Sequence, residues 1–171
     1  MHALESDDLV TLVNEWGTRP REEAGEGDEA FPDPRTAGLA ASEDTDVLVR
    51  TADRLHPVFA APTPRDRVRQ LDRLIAETGV TVHLRSDDAG HAHEEWVPAR
   101  SADALLVAAL RTLADVVVLR GAQTIGVCGG QECVDAWIDS PRGRPRRYCS
   151  TQCAGRARVA AHRRRSREDA R

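Results

Sequence analysis

Four cysteines, all between positions 128 and 153, are the residues best suited to do chemistry in this 171-residue sequence. They form two pairs, Cys128 with Cys133 and Cys149 with Cys153. Two closely spaced pairs of thiolates are the usual ligand set of a tetrahedral zinc site. Because four sulfur ligands leave no open coordination position, the pattern predicts a structural Zn²⁺ ion rather than a catalytic one.

The alternatives for these cysteines are two disulfides, a redox pair or ordinary thiols. Residues 1–5 lack the cationic start and the apolar stretch of a secretion signal, so we expect a cytoplasmic protein. Thiols are kept reduced in the cytoplasm, which favours the metal site. The longest apolar run, residues 104–110, is far shorter than the about 20 residues that cross a bilayer, so we expect no membrane partner.

The residues around the cysteines predict the elements that position them. The glycine pair at 129–130 tolerates positive φ angles, which would let the backbone wrap an ion. Ser150 is a capping residue, so a helix is expected to begin there and to bring Cys149 and Cys153 to the same side. Residues 134–148 contain two short segments around a Pro- and Gly-rich turn, which predicts a hairpin of 134–139 with 146–148.

Residues 126–165 resemble the CGNR zinc finger. The shared features are the first cysteine pair, the Ile138-Asp-Ser segment with arginine downstream, Tyr148 before the third cysteine, and a basic helix after the fourth. The family tetrapeptide is altered, because Ala154 and Gly155 stand where the family has Gly and Asn. The resemblance implies a treble-clef-like module that binds Zn²⁺ and acts on DNA.

Residues 3–120 more loosely resemble the ABATE domain, which precedes this finger in bacterial proteins described as stress-induced transcription regulators. The likeness rests on the LVNEW segment at 12–16, a hairpin and a long helix. It implies a mainly helical domain. We expect two domains, an ABATE-like helical domain at 1–122 and a CGNR-type finger with a basic C-terminal helix at 123–171.

Charge is divided unevenly along the chain. Residues 141–171 hold 11 arginines and 2 acidic residues, a net charge of +9, whereas residues 1–140 hold 13 arginines and 26 acidic residues, a net charge of −13. The sequence contains no lysine. A basic arm on an acidic body is typical of proteins that bind a polyanion.

Arginine can bind phosphate through two parallel hydrogen bonds and can also bind guanine in the major groove, so DNA is the expected partner and RNA the second choice. The candidate contacts are Arg142, Arg144, Arg146, Arg147, Arg156, Arg158, Arg163, Arg164 and Arg167. At 100° per residue, Arg156, Arg163, Arg164 and Arg167 share one broad face of a helix, over about 16 Å. The alternative is a solvated helix face or a frayed tail.

Apolar spacing predicts the other elements. Helices are expected over 7–17, from Ser42 until Pro57 and Pro62, from Pro64 to Gly79, and from 101 to 120. Strands are expected at 80–85 and 94–97, joined by a turn. Residues 18–41 are rich in Gly, Pro and acids and predict a flexible loop. The predicted fold class is therefore α+β and mainly helical, with one small hairpin before the zinc module.

A second polar cluster, His83, His91 and His93 with Glu94 and Glu95, surrounds the hairpin turn. Its spacing fits no strong motif, which favours a polar hairpin tip over a metal or acid–base site. The sequence lacks GxGxxG, P-loop, GxSxG and HExxH motifs, so we expect no enzyme.

These observations predict a zinc-dependent DNA-binding transcriptional regulator. The N-terminal domain is expected to sense a small-molecule ligand or to mediate association into a homodimer, and this expectation rests on the family analogy. Two alternatives stay open. One is a zinc-finger adaptor that docks on an acidic protein, and the other is an enzyme with an active pocket in the N-terminal domain.

Overall fold

Most of the chain is helical, with two small antiparallel hairpins, so the predicted mainly helical α+β class is confirmed. The computed structural model describes residues 4–40, 43–140 and 146–169, with side chains up to residue 166. None of the helices in these ranges is both long and apolar enough to cross a membrane. The α-helices in these ranges are α1 (Ser6–Trp16), α2 (Thr18–Ala24), α3 (Thr45–Ala60), α4 (Pro64–Glu77), α5 (Ala104–Arg120) and α6 (Thr151–Asp169).

The strands form two separate pairs. In the first, β1 (Thr81–Ser86) and β2 (Ala92–Val97) run antiparallel with Thr81 opposite Val97, which confirms the predicted hairpin. In the second, β3 (Ile125–Val127) and β4 (Ala136–Ile138) run antiparallel with Ile125 opposite Ile138. Short 3-10 helices also occur at Pro34–Ala37, Ser101–Asp103 and Ala122–Thr124.

Helix α3 departs from the prediction at both ends. It begins at Thr45, where the Asp44 side chain accepts a hydrogen bond from the Asp46 N–H; Ser42 lies outside the described residues. It also continues through Pro57 to Ala60. A proline inside a helix costs about 3 kcal/mol, but the next turn buries Val58 and Phe59, and each such side chain contributes about 1.5–3 kcal/mol.

The predicted flexible loop at 18–41 is wrong in part, because it contains α2 and a 3-10 helix. Asp53 of α3 accepts hydrogen bonds from both the Thr18 N–H and the Thr18 hydroxyl, at 2.7 Å each, and so holds the start of α2. Arg21 is buried and donates to the carbonyls of Glu15, Glu26 and Glu29. The Arg21 guanidinium therefore supplies hydrogen bonds to the backbone carbonyls of a segment that has few apolar side chains.

The main core joins the helical part to the first half of the cysteine module. Leu9 of α1, Phe59 of α3 and Leu110 of α5 lie in the same cluster as Ile125 of β3 and Ile138 of β4. The predicted domain boundary at 122–123 therefore falls between elements that share one core. Helix α5 buries Leu105, Leu106, Ala109, Leu113 and Val116, whereas Val68 of α4 is exposed because this helix packs through Leu71 and Leu74.

Candidate metal centre

The four cysteine sulfurs lie within 4.8 Å of one another. The Sγ atom of Cys149 is 3.6 Å from that of Cys133 and 3.6 Å from that of Cys153. A tetrahedral zinc ion with Zn–S bonds of about 2.3 Å separates its sulfurs by about 3.8 Å, whereas a disulfide joins them at about 2.05 Å. The donor set therefore fits Zn²⁺, and no cysteine pair is bonded.

The first pair lies in the turn between β3 and β4. Cys128 follows β3 directly, and its N–H donates to the Asp135 carbonyl at 2.8 Å. The positive φ of this turn lies at Glu132, at 56°, and neither Gly129 nor Gly130 has one. The expectation that the glycines supply positive φ is therefore wrong.

Close packing is what requires the two glycines. A Cβ on Gly129 would lie 3.2 Å from the Arg147 carbonyl oxygen, which the Gly129 N–H already binds at 2.8 Å. A Cβ on Gly130 would lie 3.3 Å from the Cys128 sulfur. Each contact is tighter than nine in ten real Cβ contacts, so a side chain at either position would push its neighbour away. The missing side chains therefore let the backbone approach the sulfur and the segment that carries the second pair.

The second pair lies at the start of α6, as the sequence predicts. Helix α6 begins at Thr151, directly after Ser150, whose hydroxyl accepts a hydrogen bond from the Cys153 N–H at 3.2 Å. Ser150 thus caps the helix. The N–H groups of Gly130 and Cys149 each lie 3.4 Å from the Cys128 sulfur and donate to it, which stabilises a thiolate there.

The cluster shifts the acidity of its thiols. Burial raises the pKa of Cys133 to about 12 and moves the pKa of Cys149 well above its ordinary value. Burial also acts to raise the pKa of Cys153, but hydrogen bonds with Ser150 and with the Cys149 thiol outweigh it, so this pKa falls below its ordinary value. A metal ion must therefore displace protons from Cys133 and Cys149.

The predicted hairpin of 134–139 with 146–148 is wrong. Strand β4 pairs with β3 instead. Residues 146–148, which the structure describes, form no strand. The two segments are joined by Asp139, whose carboxylate accepts the Arg146 N–H at 3.0 Å and lies 3.9 Å from its Nε. This contact gives Asp139 and the downstream Arg146 a physical role, since it holds the end of β4 next to the segment that leads to Cys149.

Residues 124–166 match the CGNR zinc finger family model. The matched segment contains β3, β4, all four cysteines and most of α6, so the chain carries a zinc-finger domain whose cysteines are arranged to hold a metal. No curated protein matches the chain. The likeness of residues 3–120 to the ABATE domain stays a prediction.

The predicted phosphate contacts lie on either side of the second cysteine pair, mostly within the matched segment. Arg146 and Arg147 are exposed just before Cys149, and the Arg147 guanidinium lies 5.7 Å from the centre of the Tyr148 ring. On α6, exposed side chains are found at Arg156, Arg158, Arg163, Arg164 and also Arg165, which the prediction did not include. Arg142 and Arg144 lie outside the described residues, and Arg167 is described only as part of the helix.

An acidic groove of about 550 Å³ lies beside the metal centre. Arg146 and Arg156 line it on the finger side, and the acids that line it are Asp7, Glu23, Glu26, Glu132 and Asp135. Burial, together with the nearby carboxylates of Glu26 and Asp135, raises the pKa of Glu15. Sequence spacing did not reveal this feature, because the acids come from distant parts of the chain.

A larger cavity, of about 1050 Å³, lies between α2, α3 and α4. Its lining includes His56, Asp53 and Asp66, the residue types that an enzyme pocket would use. Each has a role in the fold. Asp53 holds the start of α2, and Asp66 accepts a hydrogen bond from the Thr63 hydroxyl at the start of α4. The His56 Nε2 lies 2.9 Å from the Val134 carbonyl oxygen. The hydrogen bond from Thr63 is the main reason why the pKa of Asp66 is lowered.

The histidines of the β1–β2 hairpin do not come together as a metal site in the described part of the chain. His83, His91 and His93 are all exposed. His91 lies 3.1 Å from the Asp87 carboxylate, and the backbone N–H of His91 is the main cause of the lowered pKa of Asp87. The arrangement agrees with a polar hairpin tip.

Proposed function

We propose that the chain binds DNA through its zinc finger and acts in transcriptional regulation. The observation that carries the proposal is that α6 begins at the metal centre and bears exposed arginines over its length. At 1.5 Å per residue, its 19 residues span about 28 Å, enough to pass several phosphates of a duplex. The metal would hold the first turn of this helix in place, and the arginines would supply the attraction.

The two sides of α6 differ in their electrostatic surroundings. Arg156 lines the acidic groove, where the carboxylates repel phosphate. Arg158 and Arg165 are seven residues apart, so they share a side about 200° away from Arg156 around the helix axis. We therefore expect DNA to lie against the side that carries Arg158 and Arg165.

The helical part would supply regulation by a small-molecule ligand. The cavity between α2, α3 and α4 supports this part of the proposal, because its volume of about 1050 Å³ is at the upper end of the range of about 300–1,000 Å³ for small-molecule sites. Arg19, Arg69 and Arg73 line it beside carboxylates that include Glu22 and Glu23, so a polar ligand would find groups of both charges there.

The test is elemental analysis of the purified protein together with a DNA titration, repeated on Cys149→Ser. We expect one zinc ion per wild-type chain, and we expect the variant to lose both metal and DNA binding, because the site that holds the start of α6 is broken. DNA binding that survives metal loss would show an unstructured polycation. Absence of DNA binding by the wild type at low salt would instead favour a protein-interaction adaptor.

A further inference from the structure

Two side chains of the helical part hold the backbone that follows Cys133. Asn14 of α1 pairs with both backbone groups of Ala136, since its Nδ2 donates to the carbonyl at 3.1 Å and its Oδ1 accepts the N–H at 2.7 Å. His56 of α3 is 4% exposed, and its Nε2 lies 2.9 Å from the Val134 carbonyl oxygen. A carbonyl can only accept, so Nε2 carries a proton and donates it.

These hydrogen bonds act on the segment that carries the second metal ligand. Val134 is the residue directly after Cys133, and Glu132, with its φ of 56°, is the residue directly before it. A non-glycine residue in the left-handed region costs about 1–3 kcal/mol and persists only where neighbouring contacts hold it. Within this turn the Cys128 N–H binds the Asp135 carbonyl at 2.8 Å. The helical part therefore holds the segment from one side and the first ligand holds it from the other.

We infer that Asn14 and His56 are positioning residues of the metal centre, although both lie outside the segment that matches the zinc-finger family. They fix where the Cys133 sulfur sits, so the affinity of the cysteines for zinc depends on α1 and α3. Partners that hydrogen-bond a metal ligand directly typically change metal affinity 10–100-fold when they are removed, and Asn14 and His56 act on the backbone three and one residues after such a ligand. The inference rests on the zinc-binding part of the proposed function and is independent of DNA binding.

The test measures the zinc affinity of the full chain by competition with a chromophoric chelator. We expect His56→Ala and Asn14→Ala each to weaken zinc binding about 10–100-fold. His56→Gln keeps an N–H donor and is expected to restore most of the affinity. With Co²⁺ in place of zinc, the absorption bands of the sulfur-bound ion should shift in the two alanine variants, because the ligand geometry changes.

Thr112→Val is the matched control. Thr112 is buried in α5, and its hydroxyl donates to the Leu4 carbonyl at 2.7 Å, so the change removes a buried hydrogen bond of the helical part without touching the cysteine turn. We expect it to lower stability while zinc affinity and the Co²⁺ spectrum stay unchanged. Equal losses of affinity in Thr112→Val and in the alanine variants would overturn the inference.

Two further outcomes are distinguishable. Wild-type affinity in Asn14→Ala would overturn the inference even if His56→Ala fails to fold, because Asn14 is only half-buried. A wild-type chain that binds no zinc would overturn the proposed function and the inference together. Circular dichroism of each variant, recorded before the titration, separates loss of folding from loss of ligand geometry.

Discussion

Replacing Arg158 and Arg165 together by glutamine tests which side of α6 meets DNA. Both side chains are exposed and lie on the side of the helix away from Arg156 and the acidic groove. Glutamine has a helix propensity similar to that of arginine, and the two substitutions remove two positive charges. We expect the variant to keep its zinc and its helix and to bind DNA more weakly.

The size of the effect follows from counterion release. Each phosphate that the protein neutralises contributes about 0.9 to the slope of log affinity against log salt concentration, so the loss of two contacts lowers the slope by about 1.8. Over about 50 to 200 mM salt, wild-type affinity should therefore fall about 12-fold more than that of the variant. Taking equal affinities at about 1 M salt as the reference, the same slope difference makes the variant bind about 60-fold more weakly at about 100 mM salt.

The assay is fluorescence anisotropy of a labelled duplex of mixed sequence, titrated at four salt concentrations. Arg19→Gln with Arg73→Gln is the matched control, since it removes the same charge from the cavity between α2 and α4. We expect this control to bind nearly as the wild type does. If both double variants lose affinity and slope equally, net charge rather than one side of α6 governs binding, and the reasoning is refuted.

Three further predictions concern the metal centre and its surroundings. Because the pKa values of Cys133 and Cys149 are raised, both thiols are protonated near neutral pH, so zinc binding should release at least two protons. Zinc affinity should then rise at least 100-fold per pH unit from about pH 6 to 8, and a slope below two in a chelator competition would contradict this. Glu26→Gln should raise DNA affinity about twofold through relief of repulsion in the groove, whereas Asp88→Asn at the hairpin tip should not. Ser150→Ala should lower the free energy of unfolding by about 1 kcal/mol in a urea titration through loss of the α6 cap, and an unchanged midpoint would show that the cap is dispensable.

The metal centre was the most predictable part of the molecule, because its signals are local. The spacing of the cysteines indicated one four-sulfur cluster, and Ser150 indicated where α6 begins. The structure confirms both predictions. Pro64 likewise marked the start of α4 correctly. In each case the residues that decide the structure are neighbours in the sequence.

Features that depend on distant residues were not predictable. Strands β3 and β4 have three residues each, too few to show a periodic pattern, so the pairing of Ile125 with Ile138 gave no signal. Helix α2 forms because Asp53 accepts a hydrogen bond at its start and the buried Arg21 donates hydrogen bonds to nearby backbone carbonyls. Neither role is visible in the composition of the segment. The hydrogen bonds of Asn14 to Ala136 join residues 122 positions apart in the sequence.

The fourth cysteine is a residue of α6 itself, three positions before Arg156. An ion held by Cys153 would therefore act as an angular reference for the whole helix. One residue inserted after Gly155 would leave the sulfurs where they are and rotate every arginine beyond it by about 100° about the axis. The short spacer between Cys153 and Arg156 therefore sets the angle about the helix axis between the metal site and the arginines. This angle matters as much as the number of charges.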